Sequence, residues 1–319
     1  MRILITEPKD FSSTAVKMLK DAGFSPVPHK GKLADVQNVL MEYEGVIARF
    51  GLKLDRSLLG NGTNLKFIAV PATALDHILD RADRDAAEAR GVEFISLAGH
   101  VGLKEVTSTA EHAFGLLLCL VRNICSAHQS VLRGEWDRDL FLGHELKGKT
   151  VGVVGLGRLG MIFAGMAEAF RMRVVYYDPY VNEERYSRCS TLKELAEQSD
   201  IVSVHTKLAK ETENLLDEDF FDCCKRGMFF VNTARSIIAN EGALLNALVA
   251  GRVAGAALDV LRDEPATGKR IESDMLEYSR THSNVVITPH VAGATYEAMR
   301  ATEIMLAQKI IDKFNPNIT

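Results

Sequence analysis

No apolar run in this chain approaches the roughly 20 residues that a helix needs to cross a bilayer. The opening stretch, Met1 to Pro8, reads as a first strand and its turn, not as a secretory leader. Neither sign of charge dominates: the formal net charge is −4, and nothing in it marks a binder of nucleic acid or of a membrane surface. Cysteine is sparse and odd in number, with Cys119, Cys125, Cys189, Cys223 and Cys224 in apolar contexts that suit reduced thiols in a cytoplasmic protein. Cys223 and Cys224 are adjacent, without the C-x-x-C spacing of a metal knuckle, and no histidine cluster completes a site, so no metal centre is expected. Internal repeats and low-complexity linkers are also missing. What remains has 47% hydrophobic and 25% charged residues, an ordinary globular balance. Its 319 residues suggest two domains, at about 150 residues each.

The alternation of short β-rich runs with helix-spaced segments is that of βαβ units around parallel sheets. Strands are expected at Ile3–Ile5, Ser25–Val27, Gly45–Arg49, Leu65–Val70 and Val92–Leu97. Helices are expected at Thr14–Ala22, Ala34–Tyr43 and Ala82–Arg90, with a short turn around Ser57. This describes one five-stranded, doubly wound α/β lobe. The segment Thr107–Arg122 is apolar on nearly every face and predicts a helix covered on several sides, either in a core or at an interface. A second series of strands follows at Thr150–Val154, Arg173–Tyr177, Ile201–His205, Met228–Asn232, Gly255–Asp259 and Val285–Thr288, and a final helix at Glu297–Lys313 could return to the first lobe.

The strand Thr150–Val154 empties into Gly155-x-Gly157-x-x-Gly160. In a dinucleotide cradle the first glycine allows the tight turn and the second lets the backbone approach a pyrophosphate. The third lets the new helix pack against the strand, with its first amides aimed at the phosphates. The next strand ends in Asp178, 18 residues beyond Gly160, where an acid can accept both ribose hydroxyls and repel a 2′-phosphate. The pattern predicts NAD; an acid that merely begins a turn with Pro179 is the plainer alternative.

Three later strand tips carry groups that suit hydride transfer from a 2-hydroxy acid. Such a reaction requires a base for the hydroxyl proton and a cation for the carboxylate and developing oxyanion. His290 suits the base, Glu264 could bind its second nitrogen and favour the imidazolium, and Arg235 offers a planar fork for a carboxylate. Taken singly, each also fits an exposed turn, a loop ion pair or a solvated strand end.

Taken together, Leu65–Ile68, Ala110–Ala113, Glu145–Gly160, Asn232–Arg235, Ala256–Val260, Glu264–Pro265 and Thr288–His290 resemble the D-2-hydroxyacid dehydrogenase family, almost from end to end. The resemblance implies an NAD-dependent, phosphoglycerate dehydrogenase-like oxidoreductase that interconverts a D-2-hydroxy acid and its 2-keto acid. It implies a Rossmann NAD-binding domain over residues 99–294, inserted in a flavodoxin-like substrate domain of residues 1–98 and 295–319. It assigns Arg235, Glu264 and His290 to catalysis, with Arg235 also holding substrate. NAD contacts are implied at Gly155, Gly157, Arg158, Leu159, Gly160, Asp178, Thr206, Thr233, Ala234 and Asp259, the last towards the carboxamide. Substrate contacts are implied at Arg49, Thr73 and Ala74, and a homodimer with the helix around Glu111–Arg122 at its interface. A solvated or salt-bridged Arg49 is the competing reading.

Some positions depart from the family pattern. Ala72 and Ala74 stand where a Gly-x-Gly loop is usual, Leu79 replaces an acid, Lys207 a proline, and Ser236 the glycine after the arginine. Two other uses of the same fold compete: oxidation of phosphite or formate, and a non-enzymatic NAD-sensing scaffold.

Overall fold

Apolar runs without polar alternation become strands buried on both faces, as in parallel sheets flanked by helices. Ile3, Leu4 and Ile5 are buried in β1 (Arg2–Ile5), which pairs in parallel with β2 (Ser25–Pro28) and β3 (Gly45–Ile47). Beyond β3 lie β4 (Phe67–Ala69) and β5 (Glu93–Ile95), giving the order β2-β1-β3-β4-β5. This is the flavodoxin-type order, whose switch point lies between the first and third strands. The computed structural model describes residues 1–31, 35–36, 39–49, 64–75, 81–262, 264 and 270–314. The described residues divide into two compact units, one taking residues 1–106, 270 and 294–314, the other 107–264 and 271–293.

In the first unit α1 (Ser13–Asp21) starts where the Ser12 hydroxyl accepts from the Ala15 amide at 3.2 Å. It buries Ala15 and Leu19 against Ile3 and Ile5. A second helix, α2 (Arg81–Glu88), precedes β5. The C-terminal helix Tyr296–Phe314 packs on α1 through Leu306, Ala307, Ile310 and Ile311. Arg49, expected in the third strand, leaves it because its amide turns to the Glu7 carboxylate at 2.7 Å. Of the expected helix Ala34–Tyr43, the described part ends in a 3-10 turn at Leu40–Glu42. Ala34, the turn at Ser57 and Leu79 lie outside the described residues.

The second unit begins with α3 (Ser108–Val121) and α4 (Ile124–Leu132). Its strands are β6 (Thr150–Val154), β7 (Arg173–Tyr177), β8 (Ser187–Arg188), β9 (Ile201–Val204), β10 (Met228–Asn232), β11 (Val253–Leu258) and β12 (Val285–Ile287). All pair in parallel in the order β12-β11-β10-β9-β6-β7-β8. The order reverses between β6 and β9, the topological switch point of a Rossmann sheet. Connecting these strands are α5 (Arg158–Ala169), α6 (Leu192–Gln198), α7 (Glu218–Cys223), α8 (Glu241–Val249) and α9 (Asp274–Thr281). The two residues of β8 are exposed and polar, so no apolar pattern announces them. Helix α3 buries Ala113, Phe114, Leu117 and Val121 within this unit's own core, where Phe114 meets Phe163 of α5 edge-on at 5.6 Å. No single described helix is long and apolar enough to cross a membrane.

Candidate active site

The glycine loop follows β6 at the switch point. Gly155 has φ +89°, and a Cβ there would lie 2.8 Å from the Thr206 backbone. A Cβ at Gly160 would lie 2.1 Å from the Gly155 carbonyl, so the third glycine is required for α5 to pass beneath the loop. Nothing lies within 4 Å of a Cβ at Gly157, which caps α5 and leaves open space in front of the helix's first amides. Arg158 and Leu159 open α5, both partly buried; burial pulls the Arg158 guanidinium down from its ordinary range. A phosphate needs such a cradle: backbone approach at one position and unspent N–H groups behind it.

Asp178, at the tip of β7, is 9% exposed. One carboxylate oxygen accepts from the Leu156 amide at 2.9 Å, and the other from the Tyr180 and Val181 amides at 2.9 and 3.1 Å. The acid therefore ties the β7 tip directly to the glycine loop. Thr206 lies at the tip of β9. Next to it, His205 accepts or donates a 2.8 Å bond with the Ser203 hydroxyl and packs on the Phe163 ring. Burial pulls the His205 imidazole down to about 3, so it is neutral beside the loop.

At the end of β10 the turn Thr233–Arg235 is shaped by Asn232, a residue the sequence reading left without a role. Its side-chain oxygen accepts from the Ala234 amide, and its amide nitrogen donates to the Arg235 carbonyl, both at 3.0 Å. Arg235 is partly buried and donates to the Ala234 carbonyl at 2.8 Å. Asn232 is 2% exposed, and a buried amide following an apolar strand is the signal that could have found it.

Glu264 and His290, 26 residues apart, are brought together by a 2.6 Å bond between Oε2 and Nδ1. A carboxylate only accepts, so Nδ1 carries the proton and the lone pair falls on Nε2. The other Glu264 oxygen accepts from the Leu261 amide at 3.2 Å, which orients the carboxylate. Asp259 lies at the tip of β11 with its carboxylate fully buried. Its oxygens accept from Thr288 Oγ1 at 2.5 Å, the Val291 amide at 2.9 Å and the Ala292 amide at 2.8 Å. Its backbone amide donates to the Asn232 carbonyl at 3.0 Å, joining the arginine turn to the histidine loop. This is a tethering geometry, at the position to which resemblance assigns a carboxamide contact.

The remaining expected site residues, Arg49, Thr73 and Ala74, belong to the first unit. Thr73 is exposed, Ala74 partly buried, and the Ala72 carbonyl accepts from the Leu97 amide at 2.8 Å. Arg49, beside the switch point of its sheet, forms an ion pair with the buried Glu303 and donates to the Lys9 carbonyl at 2.9 Å. Among the described residues no group of three or more metal-ligating side chains comes together.

A family model described as D-isomer specific 2-hydroxyacid dehydrogenase, NAD binding domain, matches residues 114–292. D-3-phosphoglycerate dehydrogenase of Archaeoglobus fulgidus is 35% identical over 98% of this chain and 57% of its own length. That of Bacillus subtilis is 34% identical over 97% of this chain and 56% of its own. The chain thus spans a little over half the length of the curated relatives it matches. Among solved structures, D-lactate dehydrogenase of Aquifex aeolicus, complexed with NAD and lactic acid, matches with a TM-score of 0.82 at 27% identity, covering 99% of this chain and 97% of that one. The TT0316 protein of Thermus thermophilus gives 0.80 at 30% identity, covering 96% and 94%.

Proposed function

From the premise that this chain belongs to the D-isomer specific 2-hydroxyacid dehydrogenase family, we propose that it is an NAD-dependent oxidoreductase interconverting a D-2-hydroxy acid and its 2-keto acid. The observation that carries the reading is the 2.6 Å Glu264–His290 bond on a unit whose glycine loop is shaped for a dinucleotide. Held by Gly155–Gly160, Asp178, Thr206, Thr233 and Ala234, NAD would supply the hydride acceptor.

The chain's own residues do the rest. Arg235 grips the substrate carboxylate and polarises the C2 oxygen, a planar fork suited to both tasks. His290 Nε2 takes the hydroxyl proton as the C2 hydrogen leaves with its electron pair. Glu264 stabilises the imidazolium so formed, through the Nδ1–H it already holds. In the reverse direction His290 returns the proton to the carbonyl oxygen. The hydrogen bonds of Asn232 and Asp259 at the strand tips hold these groups in place before substrate arrives.

The test is NADH formation across a panel of D-2-hydroxy acids, their L-enantiomers, phosphite and formate, repeated with NADP. Turnover is expected with one or more D-acids and NAD, and NADP is expected to be at least tenfold poorer because the Asp178 carboxylate repels a 2′-phosphate. Calorimetric NAD binding without turnover of any D-acid would replace the enzyme by an NAD-sensing scaffold; turnover of phosphite or formate alone would replace the substrate class.

The same reading includes a homodimer. Helix α3 buries its apolar face in its own unit, but the next segment leaves Leu132, Trp136, Leu140 and Leu142 exposed, Trp136 to 90%. A run of large apolar side chains of this kind marks an interaction surface, and closed two-fold dimers are the commonest way to cover one. Sedimentation velocity is expected to give a dimer for the wild type and a monomer for Trp136→Glu combined with Leu140→Glu. A wild-type monomer at micromolar concentration sinks the dimer.

A further inference from the structure

His290 holds φ at +53°, in the left-handed region that a residue with a side chain rarely occupies unless its surroundings impose it. What imposes it is a set of bonds converging on Asp259. The His290 amide donates to the Asp259 carbonyl at 2.9 Å, and the amides of Val291 and Ala292 donate to its two carboxylate oxygens. On the other side of the turn, Thr288 Oγ1 donates to Asp259 Oδ1 at 2.5 Å, and its amide to the Leu258 carbonyl at 2.9 Å. The histidine is thus held from both sides by one buried acid.

Behind the acid stands a second histidine that the reaction does not use. His112 of α3 places Nε2 3.0 Å from Thr288 Oγ1 and 3.5 Å from Asp259 Oδ1. Thr288 has one hydroxyl proton, and the carboxylate, which only accepts, takes it. The oxygen of Thr288 must therefore accept from His112 Nε2–H. This fixes the tautomer of His112 and the rotor of Thr288 together. The far end of the loop also lies against α3, with Gly293 facing Thr109.

We infer that His112 and Thr288 are positioning residues for His290: a relay from α3 through Thr288 to Asp259 locks the Thr288–Ala292 loop and so aims the base at its proton. The inference rests on the dehydrogenase reading for the chemistry, but not for the structure. His112 and Thr288 meet Asp259 at Oδ1, on the side that holds the Thr288–Ala292 loop, and touch neither Arg235 nor the glycine loop, so losing them falls on the base more than on ligand affinity. A displacement of about 1 Å at a reacting group costs up to a hundredfold in rate.

The experiment uses the full chain with His112→Met and Thr288→Val, which delete the donor and the hydroxyl at similar size. His112→Gln and Thr288→Ser serve as conservative counterparts; a glutamine amide can reach about as far as Nε2. Expected are kcat values roughly 10- to 100-fold lower for Met and Val, with KM and NAD affinity within about threefold of wild type, and most of kcat recovered by Gln and Ser. The double variant is expected to be no worse than the poorer single, as for links of one chain. Hydrogen exchange read by mass spectrometry supplies a measure independent of turnover: the peptide holding Val291 and Ala292 exchanges faster in His112→Met and is protected again in His112→Gln. His112→Met changes a partly exposed helical position, so it keeps the test open if Thr288→Val does not fold. Unchanged exchange at Val291 and Ala292 in His112→Met overturns the relay whether or not the protein turns over. Wild-type kcat in that variant, or a loss that Gln fails to recover, overturns it too. Failure of the wild type itself to oxidise any D-acid strikes the functional reading alone.

Discussion

Replacement of His290 by asparagine is expected to lower kcat by about 10²- to 10⁴-fold, the range for losing a positioned acid–base group, while NAD affinity stays within a few fold. Asparagine is the informative substitution because position 290 sits at φ +53°. Asparagine tolerates the left-handed region, whereas alanine adds a backbone cost of about 1 kcal/mol that would blur a loss of chemistry with a loss of loop geometry. The rate loss follows from Nε2. The 2.6 Å bond from Nδ1 to Glu264 puts the lone pair on Nε2 and stabilises the ring once it gains a second proton. Glu264→Gln keeps the hydrogen bond but not the charge, so its effect is expected to be smaller, about 10- to 100-fold in kcat. Steady-state kinetics with the best acid of the panel, alongside calorimetry with NAD, reads both quantities. Unchanged kcat in His290→Asn removes His290 from the chemistry.

The parts of the fold that the sequence reveals are those whose physics is local. Buried parallel strands announce themselves as apolar runs, and β6, β7 and β10 have the bounds that Thr150–Val154, Arg173–Tyr177 and Met228–Asn232 suggest. Strand ends are less legible, because partners decide them: Arg49 departs from β3 towards Glu7, and β11 begins at Val253 because Met228 of β10 supplies a partner across an irregular register. The glycine loop is legible because its three glycines fall within six residues and two of the demands on them are local, the positive φ at Gly155 and the close pass of Gly160 beneath the Gly155 carbonyl. The network behind His290 is not. His112 and Thr288 are 176 positions apart, and His112 lies within a helix whose composition reports only its burial. Asp259 looks like any polar strand tip until the amides of Val291 and Ala292 fold back onto it. Likewise, nothing in the pattern of the C-terminal helix distinguishes Glu303 from an exposed acid, yet it is 1% exposed.

Glu303→Ala is expected to destabilise the protein by about 3–5 kcal/mol, the cost of breaking one partner out of a buried ion pair. The Arg49 side chain is 12% exposed and its guanidinium pairs with Glu303, which also accepts from the Ser12 amide at 2.6 Å. That amide is at the N-cap of α1, so one carboxylate neutralises a cation at the tip of β3 and fixes the entry of a helix. With alanine at 303, the guanidinium keeps its desolvation cost and loses its counter-charge. Replacing both partners together, Arg49→Met with Glu303→Met, removes the charges along with the cost and is expected to be within about 1–2 kcal/mol of wild type. Urea unfolding monitored by fluorescence and circular dichroism measures all three proteins, with the midpoint of the transition as the comparison. The single variant Arg49→Met decides what Arg49 does at the switch point of its sheet. A guanidinium neutralised by a buried carboxylate offers a substrate's anionic tail little net charge, so Arg49→Met is expected to act through stability and leave KM for the preferred acid within about threefold, well under roughly 1.4 kcal/mol of binding. A KM rise of more than tenfold with an unchanged unfolding midpoint would instead assign Arg49 to the substrate, and would make Glu303 the residue that restrains its charge until the substrate takes over the pairing.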